Sequence, residues 1–392
     1  MKIILFCHPD FLHSHSMPRF AAMLKKSYLE RGYEVEVWSP KAYVHRWFNF
    51  GGIGKWAGYF DQYILFPLWV KSALRRESAD TLYVFCDQAL GPWVPLVADR
   101  PHAIHCHDFL ALQSALGEYP EHQVKLLGRI YQRFIRHGFR TGRFFISVSH
   151  NSKKELSRFL PEAPVISEVV HNGLNYSFEP LPESIALKEL SNVLAAITDK
   201  RMLVHVGGNT WYKNRKGVVH IYAEYCKKCD DPLPLWMIGD SPSPRLRALA
   251  KTVAPKGKVY FLSGLSNRQV QAVYSLAKAL IFPSLAEGFG WPIAEAMACG
   301  CPVLTTNQAP MTEVGGASVT YIPVMPHQTG VEQWANGAAD TLISMLNVPV
   351  EQRLKHRDQG LEHVRLFNAD KAISAYEDIY HRVMALCRTT SD

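Results

Sequence analysis

Residues 278–307 read KALIFPSLAEGFGWPIAEAMACGCPVLTTN, and this stretch holds the plan of the fold in miniature. An apolar run, KALIF, gives way to a glycine-bearing loop, then to a segment with helical spacing, then to a second apolar run, PVLTTN. Pro292 suits the first turn of a helix, where its missing N–H would have had no partner, and Gly300 followed by Pro302 ends one. The pattern predicts a helix over about 292–299 between two strands of a parallel sheet.

The same alternation recurs along the chain. KIILF, EVEVWS, TLYVFC, HAIHCH and FFISVS are strand candidates in the first half; MLVHVGG, LPLWMIG, KVYFLSG, KALIFPS, PVLTTN and SVTYIP follow in the second. Each precedes a stretch of helical periodicity, so the class is α/β with parallel sheets covered on both faces. At 392 residues, 47% of them hydrophobic, the chain exceeds what one core usually fills. The expected division is an N-terminal domain over 1–178, a hinge over 179–200 opened by the prolines of EPLPES, and a C-terminal domain over 201–370. A terminal helix over 371–392 is free to pack on either domain.

Composition narrows the function classes. The opening MKIILFCHPDFLHSHS turns polar within a few residues and reads as a first strand, not a signal peptide. The longest apolar run, YILFPLWV at 63–70, falls short of the roughly 20 residues of a membrane-spanning helix. Eight scattered cysteines lack zinc-site spacing, and reduced thiols in a cytoplasmic protein are the expectation. The net charge of +8 admits nucleotide diphosphates, acidic lipid surfaces and nucleic acid, and the last is disfavoured by the absence of any nucleic-acid motif.

In open parallel sheets ligands sit beyond the carboxyl ends of the strands, which directs attention to the loops there. Gly288 and Gly290 leave backbone N–H groups accessible at a helix start whose dipole favours an anion such as a diphosphate. Glu287 precedes this loop and Glu295 is expected in the first helical turn, so both carboxylates can accept hydrogen bonds from sugar or ribose hydroxyls. The bland alternative is a glutamate that complements the helix dipole beside a solvated one.

The full string decides between them, because it resembles the retaining glycosyltransferases of family 4. Their hallmark is two glutamates separated by seven residues around a GFG loop, with a Pro and a following AMA-G-PV run. The likeness extends to MTEVGG at 311–316, FLSGLSNRQVQAVYSLA, VSHNSKKEL and VVHNGLN. It implies the GT-B fold, two Rossmann-like domains facing each other across a cleft, and transfer from a nucleotide-diphosphate sugar without metal or other cofactor. By the same likeness Glu295 holds the ribose and Glu287 the donor sugar, with Gly288, Phe289 and Gly290 lining the phosphate and sugar site.

Three cations, Lys213, Arg215 and Lys216, follow the strand MLVHVGG, where charge-assisted hydrogen bonds stabilise a departing diphosphate. Lys216 before Gly217 matches the family lysine. The family arginine follows the strand glycine directly, where this chain has Gly208 and Asn209, so its role falls to Arg215 or is shared with Lys213. A solvated basic turn is the alternative.

AIHCHDF at 103–109 ends another strand with His105 and His107 on one face. Two such histidines lack the further ligands of a metal site, and a strand histidine is commonly a hydrogen-bonded core residue. The family places a His–Asp pair here, which His107 and Asp108 match, and the resemblance implies a catalytic part at the donor sugar. The loop after the first strand lacks the paired glycines of relatives; His13, His15, Ser16 and Arg19 are candidates for acceptor contact, or simply a polar loop.

Lys125, Arg129, Arg133, Arg136, Arg140 and Arg143 make a basic stripe over 125–143, and no acid occurs from His122 to Lys154. It suits an anionic membrane surface or phosphorylated acceptor, or else is a solvated face whose apolar side packs on the first sheet. Gly128 and Gly138 weaken the helix. The leading reading is a retaining glycosyltransferase acting on a glycan or lipid-linked acceptor. A sugar-nucleotide epimerase of the same architecture and a non-catalytic sugar-nucleotide-binding scaffold are the alternatives.

Overall fold

The computed structural model describes residues 1–12, 16–48, 50–195, 197, 200–253 and 255–389. The chain divides into two compact units. One comprises Met1–Tyr119, Gln123–Asn175 and the C-terminal stretch from Ala369; the other comprises Pro120–His122 and Tyr176–Asn368.

Six parallel strands build the first unit: β1 (Lys2–Phe6), β2 (Glu34–Trp38), β3 (Thr81–Phe85), β4 (His102–Cys106), β5 (Phe144–Ser147) and β6 (Ile166–Val169). Their order is β2-β1-β3-β4-β5-β6, with Ile4 in register with Glu36 and Tyr83. Alternation sends Ile3 and Leu5 to one face and Ile4 and Phe6 to the other. The first face is covered by Phe20, Leu24 and Tyr28 of the helix Ser16–Glu30 and by Ile373, Tyr376 and Tyr380 of the helix Ala369–Thr389. The second face packs against Phe66, Trp93 and Phe139. Each such fully buried side chain contributes about 1.5–3 kcal/mol, which is why these strands read as continuous apolar runs.

The second unit repeats the plan with β7 (Leu203–Val206), β8 (Leu235–Ile238), β9 (Val259–Leu262), β10 (Ala279–Phe282), β11 (Val303–Thr306) and β12 (Thr320–Ile322). Their order is β12-β11-β10-β7-β8-β9, all parallel. The direction of winding reverses between β10 and β7, so the loops leaving these two strands open a crevice where an α/β sheet binds its ligand. Both sheets are thus of the Rossmann-like α/β class expected.

Every strand candidate forms a strand, and β6, a four-residue run broken by Ser167 and Glu168, is added. The segment 179–200, expected to interrupt regular structure, carries two helices, Glu183–Glu189 and Ser191–Leu194. The first packs on the helix Asn267–Leu276, where Arg268 pairs with Glu189 at 3.4 Å and Leu181 N donates to Ser275 Oγ. All eight cysteines are free, Cys7 and Cys86 included, although their sulfurs lie 3.7 Å apart. Among the described residues no helix is long and apolar enough to cross a membrane.

Candidate active site

The loop after β7 turns back on itself at Asn214, whose φ of 49° is a left-handed conformation open to asparagine more than to most residues. Its side chain holds the turn from both sides: Nδ2 donates to Pro283 O at 2.9 Å and Oδ1 accepts from Gly217 N at 3.1 Å, capping the helix Arg215–Lys228. The turn ties the β7 loop to the β10 loop. It also separates the three cations, because residues on either side of a left-handed position leave the chain in different directions.

Lys213 reaches Glu287, with Nζ 2.8 Å from Oε1 and 2.9 Å from Oε2. Ser284 Oγ donates to the same Oε1 at 2.8 Å. Glu287 is buried, only 6% exposed, so a carboxylate there needs this counter-charge. Arg215 is also buried, and Nη1 donates to Asn209 Oδ1 at 2.5 Å and Asp240 O at 2.8 Å, at the ends of β7 and β8. Burial lowers the pKa of the guanidinium, and its Nε and Nη2 have no hydrogen-bond partner among the described residues. Lys216 is exposed in the first turn of the following helix and, with Arg215 and Asn209, lines a cavity of about 570 Å³. The cation at Glu287 is therefore Lys213, whereas Lys216 carries the family's lysine–glycine spacing.

Gly290 has φ +102° and precedes the helix Trp291–Ala298, which starts without a side-chain cap. With Pro292 second in this helix, Glu295 falls in its second turn, not the first as expected from sequence. Its Oε2 accepts from Tyr274 OH at 3.2 Å, a buried phenol on the neighbouring helix. Glu287 and Glu295 thus flank Gly288, Phe289 and Gly290, one ahead of the loop and one a helical turn beyond it. Phe289 is buried against Phe367, which anchors the loop.

In the first unit a second polar cluster forms where β1, β3 and β4 end. His107 is buried, its backbone N donating to Gln88 Oε1 at 2.8 Å. Its Nε2 lies 3.0 Å from Cys86 O, an acceptor only, so Nε2 carries the proton and Nδ1 is the acceptor of the neutral ring. Burial lowers the pKa of His107, against the opposing pull of Asp87. Asp87 pairs with His8 at 2.8 Å; burial raises its pKa, but His8, His107 and the Ala89 N–H together leave a net depression. Asp108 Oδ1 accepts from Leu110 N at the start of the helix Leu110–Leu116, and Gln88 donates to Asp108 O. His107, Asp108, Asp87 and Gln88 line a cavity of about 240 Å³.

His105 turns to the other environment. Its Nε2 meets Tyr380 OH at 2.7 Å, its ring is edge-on to Phe20 and Tyr376, and it is fully buried. It is a core histidine. Of the loop candidates, His13 and His15 and the side chain of Ser16 lie outside the described residues, and Arg19 is exposed on the helix Ser16–Glu30. His8, Asp87 and Gln88 escaped sequence reasoning, as did Ser284, Tyr274 and the role of Asn214. For the first three and Ser284 the signal was available: each follows a parallel strand within three residues.

Two doubly wound parallel sheets, each ending in a polar cluster at its strand carboxyl ends, define a GT-B glycosyltransferase architecture. Residues 17–178 match the family described as Glycosyltransferase Family 4, and residues 188–342 match that described as Glycosyl transferases group 1. The chain belongs to this family of glycosyltransferases. It is 24% identical to the N-acetyl-alpha-D-glucosaminyl L-malate synthase of Bacillus anthracis, over 98% of this chain and 97% of that protein. It is 26% identical to the O-antigen chain mannosyltransferase B of Escherichia coli over 50% of this chain and 52% of that one. In fold it resembles the sucrose-phosphate synthase of Thermosynechococcus elongatus, with TM-score 0.74, 16% identity and coverage of 98% and 100% of the two chains. A similar likeness holds to WaaG, a glycosyltransferase involved in lipopolysaccharide biosynthesis, with TM-score 0.69, 14% identity and coverage of 97% and 99%.

Proposed function

We propose that the protein is a cytoplasmic retaining glycosyltransferase that moves a hexosyl group from a nucleotide-diphosphate sugar to a glycan or lipid-linked acceptor. In this reading the second unit holds the donor and the first unit the acceptor. The observation that carries it is the polar cluster at the β7–β10 switch point: an ion-paired Lys213 and Glu287 beside an uncapped helix start and a buried guanidinium with two unpartnered nitrogens. An oxyanion of the diphosphate supplies what that guanidinium lacks, and N–H groups at Trp291 and beyond favour the same charge. Lys213 stabilises the leaving diphosphate as the sugar–oxygen bond breaks, and Glu295 takes the ribose hydroxyls. In the first unit, His107 and Asp108 meet the sugar or orient the acceptor, and His107 does so as a neutral ring. Arg19 remains a candidate acceptor contact. The match to the two glycosyltransferase family models, and the likeness over nearly the whole length to an N-acetyl-alpha-D-glucosaminyl L-malate synthase, support transfer as the activity.

The test is a calorimetric screen against a panel of nucleotide sugars, with and without chelator, followed by transfer assays with the donor that binds. Saturable, chelator-insensitive binding and a product whose anomeric configuration matches the donor sustain the reading. An inverted product removes retention. Conversion of the donor without any acceptor points to an epimerase, and binding without turnover over a broad acceptor panel points to a scaffold.

A further inference from the structure

The described residues between 43 and 73 of the first unit enter its core only in part, through Phe66 and Val70. Trp47, Phe50, Ile53, Trp56, Phe60 and Leu68 are each 45% or more exposed, the first two just ahead of a helical run that goes from Gly51 through a π-turn at Asp61–Leu65 to Ala73, and the other four on it. The run is fixed from beneath. Asp61 is buried and accepts from Val44 N and His45 N, both at 2.9 Å, and Trp93 Nε1 donates to Gln62 O at 3.0 Å, occupying a carbonyl of the π-turn. The basic helix Leu126–Phe139 lies alongside, with Tyr59 stacked on Tyr131, the Tyr63 and Tyr131 hydroxyls 2.7 Å apart, and Tyr63 edge-on to Phe134. That helix is held close, since a Cβ at Gly138 would stand 2.1 Å from Gly91 O.

The expected packing of this helix's apolar side on the sheet holds only for Ile135 and Phe139; Leu126 is 72% exposed, and Leu127, Ile130 and Phe134 join it. At 100° per residue, Leu126, Ile130 and Phe134 form one exposed stripe, and Arg129, Arg133 and Arg140 form the next. Exposed charge on the two segments themselves, 41–76 and 125–143, has one sign, and Asp10 and the half-exposed Glu36 stand at their border. From Lys41 to Arg76 the chain has six Lys and Arg, all exposed, and its one acid, Asp61, is buried and satisfied by backbone N–H groups.

We infer that this surface docks on the interface of an anionic phospholipid bilayer, with Trp47, Ile53, Trp56 and Leu126 entering the headgroup and acyl boundary and the flanking cations meeting lipid phosphates. Exposed tryptophans beside a cationic stripe, on segments that carry no exposed acid of their own, suit that interface, which is apolar on one side and negatively charged on the other. This inference is independent of the donor and acceptor assigned above.

The test is cosedimentation of the full chain with vesicles of pure phosphatidylcholine and with vesicles in which a third of the lipid is phosphatidylglycerol. Binding is expected to the anionic vesicles, to fall at high salt, and to shift tryptophan fluorescence to the blue. Trp47→Ser with Trp56→Ser is expected to weaken it at least tenfold with an unchanged unfolding midpoint, and Arg129→Glu with Arg133→Glu to weaken it through charge alone. No binding to anionic vesicles, or undiminished binding in both variants, overturns the inference. So does a wild-type dimer in sedimentation equilibrium that the tryptophan variant dissolves, because a second copy then covers the surface.

Discussion

Lys213 and Glu287 stand 74 residues apart in sequence and form a two-point ion pair at 2.8 and 2.9 Å, one from the loop after β7 and the other from the loop after β10. The pair bridges the two strands at which the sheet reverses its winding, and Asn214 to Pro283 O bolts the same two loops together. Charge balance and loop geometry therefore depend on one another at this point.

Removing Lys213 alone leaves Glu287 buried without its partner. Lys213→Ala is expected to cost about 3 kcal/mol of stability and to slow transfer about 10²–10³-fold. The double substitution Lys213→Met with Glu287→Gln removes both charges and is expected to recover most of the stability and none of the rate. Urea unfolding and single-donor turnover on the same preparations separate the two effects. Recovery of rate in the double variant would assign the pair to the scaffold.

Glu295 answers to a different measurement. Its hydrogen bond to Tyr274 positions a carboxylate that, in the proposed reading, meets donor hydroxyls. Glu295→Ala is expected to weaken donor binding about ten- to a hundredfold, the range for hydrogen bonds to a charged group. Tyr274→Phe, which keeps the carboxylate and loses only its support, is expected to weaken it a few-fold. Calorimetric titration with the donor decides, and equal losses would make Glu295 a structural partner of the phenol.

The strands were legible because parallel strands buried on both faces must be apolar throughout, and KIILF or KALIF permits little else. β6 was not, since Ser167 and Glu168 break the apolar run at the edge of its sheet. Of the proposed donor site, the grouping of Glu287, Gly290 and Glu295 around one loop and helix start was legible from their spacing. Its basic half was only partly so: nothing in YKNRKG announces that Asn214 takes a left-handed turn, and that turn decides which cation faces Glu287. The exposure of Trp47, Ile53 and Trp56 was not legible, because hydrophobicity alone does not distinguish a core segment from an exposed apolar surface.

Acid stability follows from histidines buried in neutral form. His102 has both ring nitrogens committed, Nδ1–H to Arg100 O and Nε2 accepting from Arg143 N, and burial lowers its pKa to about 4. His205, held by Ile281 O, is lowered to about 3 by burial. Below about pH 6.5 the unfolded chain takes up protons that the folded chain refuses, so stability falls as pH drops, by up to about 1.4 kcal/mol per pH unit for each histidine. The loss from His102 saturates near its folded pKa of about 4. Urea midpoints at neutral pH and near pH 5 are expected to differ accordingly, and His102→Asn to be less stable at neutral pH yet less sensitive to acid. An unchanged slope in that variant would remove His102 as a source.

His105 in β4 and His107 just past its end are two residues apart and yet are expected to fail in different ways. His105 is hydrogen-bonded to Tyr380 inside the core that the C-terminal helix completes, so His105→Ala leaves a cavity and a buried phenol without its partner. A loss of about 2–4 kcal/mol is expected, with turnover per folded molecule unchanged. His107 lines the cavity at the strand ends and presents Nδ1 as an acceptor because Nε2–H is committed to Cys86 O. His107→Ala is expected to slow transfer with little loss of donor affinity and a smaller loss of stability. His107→Gln is expected to restore the backbone contact but not the rate. Steady-state kinetics and donor titration on folded protein test the contrast, and turnover lost equally at both positions would mean that the strand end, not the His107 ring, supports transfer.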